Sequence, residues 1–257
     1  MNIQLNTRIA DHYKSNSQRA RIMTEFWVKE NAYCPNCGNR LAKFENNRPV
    51  ADFLCKNCQE EFELKSKNSK AVGGKIVDGA YQTMIQRINE NNNPSFFLLT
   101  YNNLTYEVNN FLIIPNFYFV PDIIEKRKPL SENARRAGWI GCNILLKNLP
   151  ENSKIYFVKN SNIIDKNKVL ENWSKNSFLK NKKGESKGWI LDIMNCVDKI
   201  NKEIFSLDDV YKFEKILKEK HPKNNFIKDK IRQQLQLLRN KGIIEFLGRG
   251  KYKKVKL

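Results

Sequence analysis

Histidine is nearly absent from this chain: its 257 residues include two, His12 and His221. They lie far apart among polar neighbours, so both are expected at the surface, and general-base chemistry built on imidazole is disfavoured. Long apolar runs are missing as well. The best, Phe111-Leu-Ile-Ile114, stops at Pro115, far short of the ~18–20 apolar residues that span a bilayer. The opening stretch, Met1-Asn-Ile-Gln-Leu-Asn-Thr-Arg8, has no apolar segment resembling a signal peptide. No membrane partner is expected, and the expected location is the cytoplasm. In that reducing compartment the six cysteines do not make a disulfide framework. Acidic residues are also in short supply. Lys and Arg outnumber Asp and Glu 46 to 27, which leaves a net charge of +19 and a pI near 9.6. A basic membrane-surface protein could carry that charge, but it ranks a nucleic-acid partner first.

What is present has the pattern of two domains. With 40% hydrophobic residues the chain should fold around its own cores. Apolar residues at Ile22, Met23, Phe26 and Trp27 predict a helix over 17–31, and Ala80, Met84, Ile85 and Ile88 predict another over 78–89. Strands are expected at 61–67, 95–101, 108–114, 138–144 and 155–158. Their mixture with helices predicts an α/β core around a mixed sheet. Lys180-Asn-Lys-Lys-Gly-Glu-Ser-Lys-Gly188 is a polar stretch with the composition of a linker. Beyond it come apolar positions 190, 193, 197 and 200, then a capping-box start at Ser206-Leu-Asp-Asp209. A helix over 226–240 and a hairpin around Gly248-Arg-Gly250 follow. Three helices and a hairpin predict a winged helix-turn-helix. The expected division is 1–182 and 183–257.

Two constellations carry chemistry. Cys34-Pro-Asn-Cys37 and Cys55-Lys-Asn-Cys58 are paired Cys-x-x-Cys knuckles, and their four thiolates suit tetrahedral, structural Zn²⁺ with no open position for water. Cys142 and Cys196 have apolar neighbours and are expected to be core thiols. Around the second knuckle stand Asp52 and Glu63-Leu-Lys65. On a strand Glu63 and Lys65 share a face, with Phe62 and Leu64 turned to the core. Two carboxylates there can hold Mg²⁺, and the lysine can orient water and stabilise charge on phosphate. The plainer alternative is a charged, solvated strand face. In the 226–240 helix, Lys228, Arg232, Gln233 and Gln236 lie opposite the apolar stripe, where Gln and Arg can read base edges and Lys can hold phosphate. Arg135 and Arg136 before Trp139 form either a phosphate clamp with an aromatic probe or two solvated arginines beside a packed ring.

The segments Asn46-Asn-Arg-Pro-Val-Ala-Asp52, Glu61-Phe-Glu-Leu-Lys-Ser66, Ala134-Arg-Arg-Ala-Gly-Trp-Ile-Gly-Cys-Asn143 and Ile231-Arg-Gln-Gln-Leu-Gln236 resemble the DpnI-like methyl-directed (type IIM) restriction endonucleases. The resemblance extends over essentially the whole chain. It implies a PD-(D/E)XK nuclease core with an inserted zinc site and a C-terminal winged-helix domain. It also implies cleavage of double-stranded DNA at GATC sites whose adenine carries an N6-methyl group. The nuclease motif falls on Asp52, Glu63 and Lys65, with Pro49 displaced to three residues before the aspartate. A monomer that cuts the strands separately is expected. The alternative from another class is a non-catalytic zinc-ribbon and winged-helix DNA-binding regulator.

Overall fold

Helix α1 (Asn16–Asn31) forms where the apolar spacing predicts it, but not with the predicted face. Met23, Trp27 and Val28 are buried, yet so are Thr24 and Glu25, while Phe26 is exposed. The computed structural model describes residues 1–44, 51–182 and 184–255. Arg48, Pro49 and Val50 of the nuclease-like motif lie outside the described residues. The chain divides into two compact units, Met1–Lys147 with Ser153–Ser174, and Asn148–Asn152 with Lys175–Leu257.

In the first unit the strands run β1 (Ala42–Lys43), β2 (Phe53–Leu54), β3 (Glu61–Asn68), β4 (Ile76–Ala80), β5 (Ser95–Tyr101), β6 (Val108–Ile114), β7 (Ile124–Lys126), β8 (Gly141–Ile144), β9 (Ile155–Lys159) and β10 (Asn162–Ile163). Seven of them build one mixed sheet in the order β1-β2-β3-β5-β6-β9-β10. Among the described residues only the β3–β5 pair is parallel, and helix α2 (Tyr81–Glu90) lies on the long connection that such a pair requires. β5 is buried along its whole length and β6 at all but one position, which explains their continuous apolar runs. Phe97, Phe111 and Phe157 pack ring to ring in the core beside them. A smaller sheet, β4-β8-β7, shares no strand pairing with the large one.

Two expectations fail here. Asp78 does not begin a helix; it lies in β4, paired opposite Cys142 of β8, and α2 starts at Tyr81. The strand predicted over 138–144 is confined to Gly141–Ile144, because residues 127–140 form a looped excursion closed by the Leu130 amide donating to the Trp139 carbonyl and the Gly138 amide donating to the Leu130 carbonyl. Helix α3 (Lys166–Asn176), which was not foreseen, buries Val169 and Trp173. Cys142 and Cys196 are buried, as expected.

The second unit has the helix-turn-helix plan. Its helices are α4 (Gly184–Lys199), α5 (Leu207–Tyr211), α6 (Glu214–Lys220) and α7 (Ile227–Asn240). A small antiparallel sheet, β11 (Ile204–Ser206), β12 (Ile244–Gly248) and β13 (Lys251–Lys254), has β13 in the centre. Ile231, Leu235 and Leu238 of α7 pack inward. The Ser206 capping box forms as the sequence predicts: its hydroxyl accepts from the Asp209 amide, and the Asp209 carboxylate accepts from the Ser206 amide. The hairpin turn holds Gly248, Arg249 and Gly250 all at positive φ, a conformation glycine adopts without strain.

The linker expected at 180–188 is not borne out by its described residues, outside which Lys183 lies. Residues Gly184–Gly188 are the first turns of α4, and Lys187 is buried. Nor is His221 an ordinary surface residue. Its ring stacks on Trp189 at 3.8 Å, and its Nε2 lies 2.9 Å from Asp192, whose other oxygen pairs with Lys220. His12 is exposed, as expected.

Candidate functional site

Antiparallel pairing brings the dispersed acidic motif together. Asp52 immediately precedes β2, and its amide donates to the Phe62 carbonyl of β3 at 2.9 Å. Its carboxylate returns the contact, accepting from the Leu64 amide at 2.7 Å. Asp52 is thereby fixed beside the edge of β3 that carries Glu63 and Lys65. Phe62 is fully buried while Glu63 and Lys65 share the other face, as strand alternation requires. That face is not simply solvated: the Glu63 and Lys65 side chains are 20% and 24% exposed.

The lysine is pinned between two carboxylates. Its ammonium lies 2.6 Å from Glu63 and in closer contact with Asp78, which reaches in from β4 with its side chain 6% exposed. Burial opposes the lysine's charge, but Glu63 and Asp78 outweigh it and hold Lys65 above its usual range, so it keeps its proton. Burial pushes Glu63 up to about 7; Lys65 opposes this and the Asp78 and Asp52 charges add to it. Asp52 is also raised, by burial first and then by the charge of Glu25. Glu25 itself is held by Arg21 at 2.6 Å and Lys43 at 2.7 Å. Asp52, Glu63 and Lys65 line a cleft of about 630 Å³ whose walls include Arg21, Glu25 and Lys75. A second cavity of about 220 Å³ opens on Glu63 and Asp78 and includes Arg87. Asp78 escaped the sequence analysis because its partner Lys65 lies 13 residues away on another strand, and Glu25 because, although Arg21 is a neighbour on its own helix, the cleft it lines and its partner Lys43 belong to other elements.

The four knuckle cysteines converge. All their sulfurs lie within 4.8 Å of one another, with Cys34–Cys58 and Cys37–Cys55 each at 3.4 Å. A tetrahedral zinc with bonds of about 2.3 Å would need edges of roughly 3.8 Å, so the donor set fits such an ion. The knuckles are built alike. The amide of the first cysteine in each is bound five residues on, Cys34 by Asn39 and Cys55 by Glu60, and each turn closes at positive φ on Gly38 or Gln59. Burial pushes the Cys34 thiol up, while amides of Cys37 and Asn36 point donors at its sulfur and favour the thiolate a metal binds. Among the described residues no other group of three or more Cys, His, Asp or Glu side chains converges in this way. Cys55 follows Asp52 by three residues, so the knuckle and the acidic cleft stand at the two ends of the short strand β2.

The candidate DNA contacts separate into free and engaged groups. Arg135 and Arg136 are exposed near the end of the 127–140 loop. Trp139 is half-buried, with its ring laid over Gly141 so closely that a Cβ there would meet it at 2.8 Å. On α7, Gln233 and Gln236 are exposed, and Gln233 accepts from Gln234 at 3.3 Å. Lys228 lies 3.6 Å from Glu214 and sits over the Tyr211 ring. Arg232 pairs with Asp229 and donates to the Tyr211 hydroxyl at 3.1 Å. In the wing, Lys254 caps the end of α4 through the Ile200 carbonyl at 2.6 Å and Lys253 faces Glu203. This leaves Arg249 and Lys251 exposed at the tip. No described helix is long and apolar enough to cross a membrane.

Two family models match the chain. DpnI, the Dam-replacing family, matches residues 1–182, and the Dam-replacing HTH domain matches residues 185–254.

Proposed function

Because this chain belongs to the DpnI, or Dam-replacing, family of restriction endonucleases, we propose that it hydrolyses double-stranded DNA at GATC sites carrying N6-methyladenine. The observation that supports the reading best is the cleft in which Asp52, Glu63 and a protonated Lys65 meet. We assign residues 1–182 to a PD-(D/E)XK catalytic domain and 183–257 to a winged-helix reader, in a monomeric enzyme.

In this mechanism Asp52 and Glu63 would hold a magnesium ion, which when bound would supply an activated water and neutralise phosphate charge. Lys65, already charged, is suited to stabilising the extra negative charge of the pentacovalent phosphate and to orienting the attacking water; as a proton acceptor it is unsuited. Asp78 is a positioning residue that aims the ammonium. Asp78→Asn is expected to slow cleavage by about 10–100-fold, the usual cost of losing a partner of that kind, with Asp78→Glu recovering part of the rate. DNA affinity should be unchanged in both. Equal rates for wild type and Asp78→Asn would reduce Asp78 to packing.

Arg135, Arg136 and Lys228 are assigned to phosphate, and Arg232, Gln233 and Gln236 to base edges. Trp139 is assigned to the methyl group in the catalytic domain. One buried methyl contributes about 0.8 kcal/mol, so the two of a palindromic site give little more than a tenfold preference. A second reader in the other domain would multiply that preference. The proposal is tested by incubating plasmid from adenine-methylating cells with the protein and magnesium. Cutting is expected there and not on the same plasmid from methylase-deficient cells. Binding without any cutting would favour the regulator alternative.

A further inference from the structure

The turn that leads into α7 presents an aromatic ring to water on a braced backbone. Phe226 is 72% exposed, more than any other aromatic among the described residues. Its amide donates to Asn224 Oδ1 at 2.7 Å, and its carbonyl accepts from the Lys230 amide at 3.0 Å. The Lys218 ammonium ties the preceding turn together, donating to the carbonyls of Pro222 and Asn224 at 3.1 and 2.8 Å and to Asn225 Oδ1 at 3.0 Å. The brace fixes the backbone that carries the ring. An aromatic left in water contributes no burial to the fold, so its use lies with a partner.

Its position says which partner. The N-terminal end of a recognition helix is the part that meets base edges in the major groove. In sequence the ring stands between exposed Lys223 and Lys228, whose charges suit phosphate although Lys228 pairs with Glu214 in the free protein, and exposed Gln233 and Gln236 follow along the helix. In that groove the apolar groups on offer are methyls: the C5-methyl of thymine and the N6-methyl of a modified adenine. We infer that Phe226 is the winged-helix domain's reader of the adenine N6-methyl group, packing its ring against it. This inference rests on the proposed methyl-directed function and adds to it the second reader.

The test is equilibrium binding by the full chain, with calcium replacing magnesium. Three GATC duplexes are compared: N6-methylated on both strands, unmethylated, and methylated with uracil in place of thymine. Phe226→Ala should lower the methylated-to-unmethylated affinity ratio by about fourfold if one methyl is read and about fifteenfold if two are read. Affinity for the unmethylated duplex should hold, and the uracil duplex should show the same loss. Phe226→Leu, which keeps an apolar surface, should retain most of the ratio. An unchanged ratio would overturn the inference, as would equal weakening on methylated and unmethylated DNA. If uracil substitution abolished the loss, thymine would be the target and the inference would also fall. In each of those cases a wild type that still prefers methylated DNA leaves the proposed function standing. A wild type with no preference would remove both.

Discussion

Lys65→Ala is expected to retard DNA on a gel as well as the wild type does and to cut it at least about a thousandfold more slowly. Removing a single preorganised charge-stabilising donor from an enzyme costs about 10²–10³ in rate, and here the lysine also separates two carboxylates. Without its ammonium, Glu63 and Asp78 face each other across a partly buried space, so the geometry of the acidic cleft should loosen too. Asp52→Ala should behave alike, since that carboxylate both faces the cleft and accepts from the Leu64 amide. The internal control is Lys67→Ala. Lys67 lies on the same strand and the same side as Lys65 but is exposed, and its loss should change the rate little. If Lys65→Ala cut at near wild-type rate, the charged-strand alternative would be right after all.

The second large effect is expected at the cysteines. Structural zinc supplies about 10–16 kcal/mol in zinc-finger peptides, comparable to the whole stability of a domain. Cys34→Ser or Cys58→Ser should therefore give poorly soluble protein or a melting temperature lower by about 10 °C or more, the shift that a loss of roughly 5 kcal/mol makes at this domain size. Cleavage should fall with it, because Cys55 stands three residues from Asp52 and a loosened knuckle would release the strand that positions the carboxylate. Elemental analysis should find one zinc per chain in the wild type. A folded, active preparation with well under one zinc per chain would contradict a structural role.

The parts that sequence reasoning found are those that local patterning determines. β5 and β6 read clearly because strands buried on both faces become continuous apolar runs, and the Ser206 cap because its partners are three residues apart. The knuckles were legible for the same reason, since a metal set repeats a short spacing. What was missed depends on contacts distant in sequence. Asp78 points into the first unit from a strand whose apolar Val77 faces water, the reverse of the usual alternation. That arrangement is tolerated because Lys65 on a different sheet pairs with the aspartate. Residues 184–188 look like a linker by composition, yet they start a helix, and Lys187 is buried in it. His221 looked polar and isolated; Trp189 and Asp192, about thirty residues earlier, enclose it.

The most direct test of the account is single-turnover cleavage of one defined GATC duplex, prepared N6-methylated on both strands, on one strand and on neither, with magnesium and excess enzyme. The account predicts fast hydrolysis of the fully methylated duplex, slower cutting of the hemimethylated one and essentially none of the unmethylated one. Hydrolysis of the methylated duplex should fall at least about a thousandfold in Lys65→Ala. Equal cutting of the three duplexes, or cutting that survives Lys65→Ala undiminished, would contradict it.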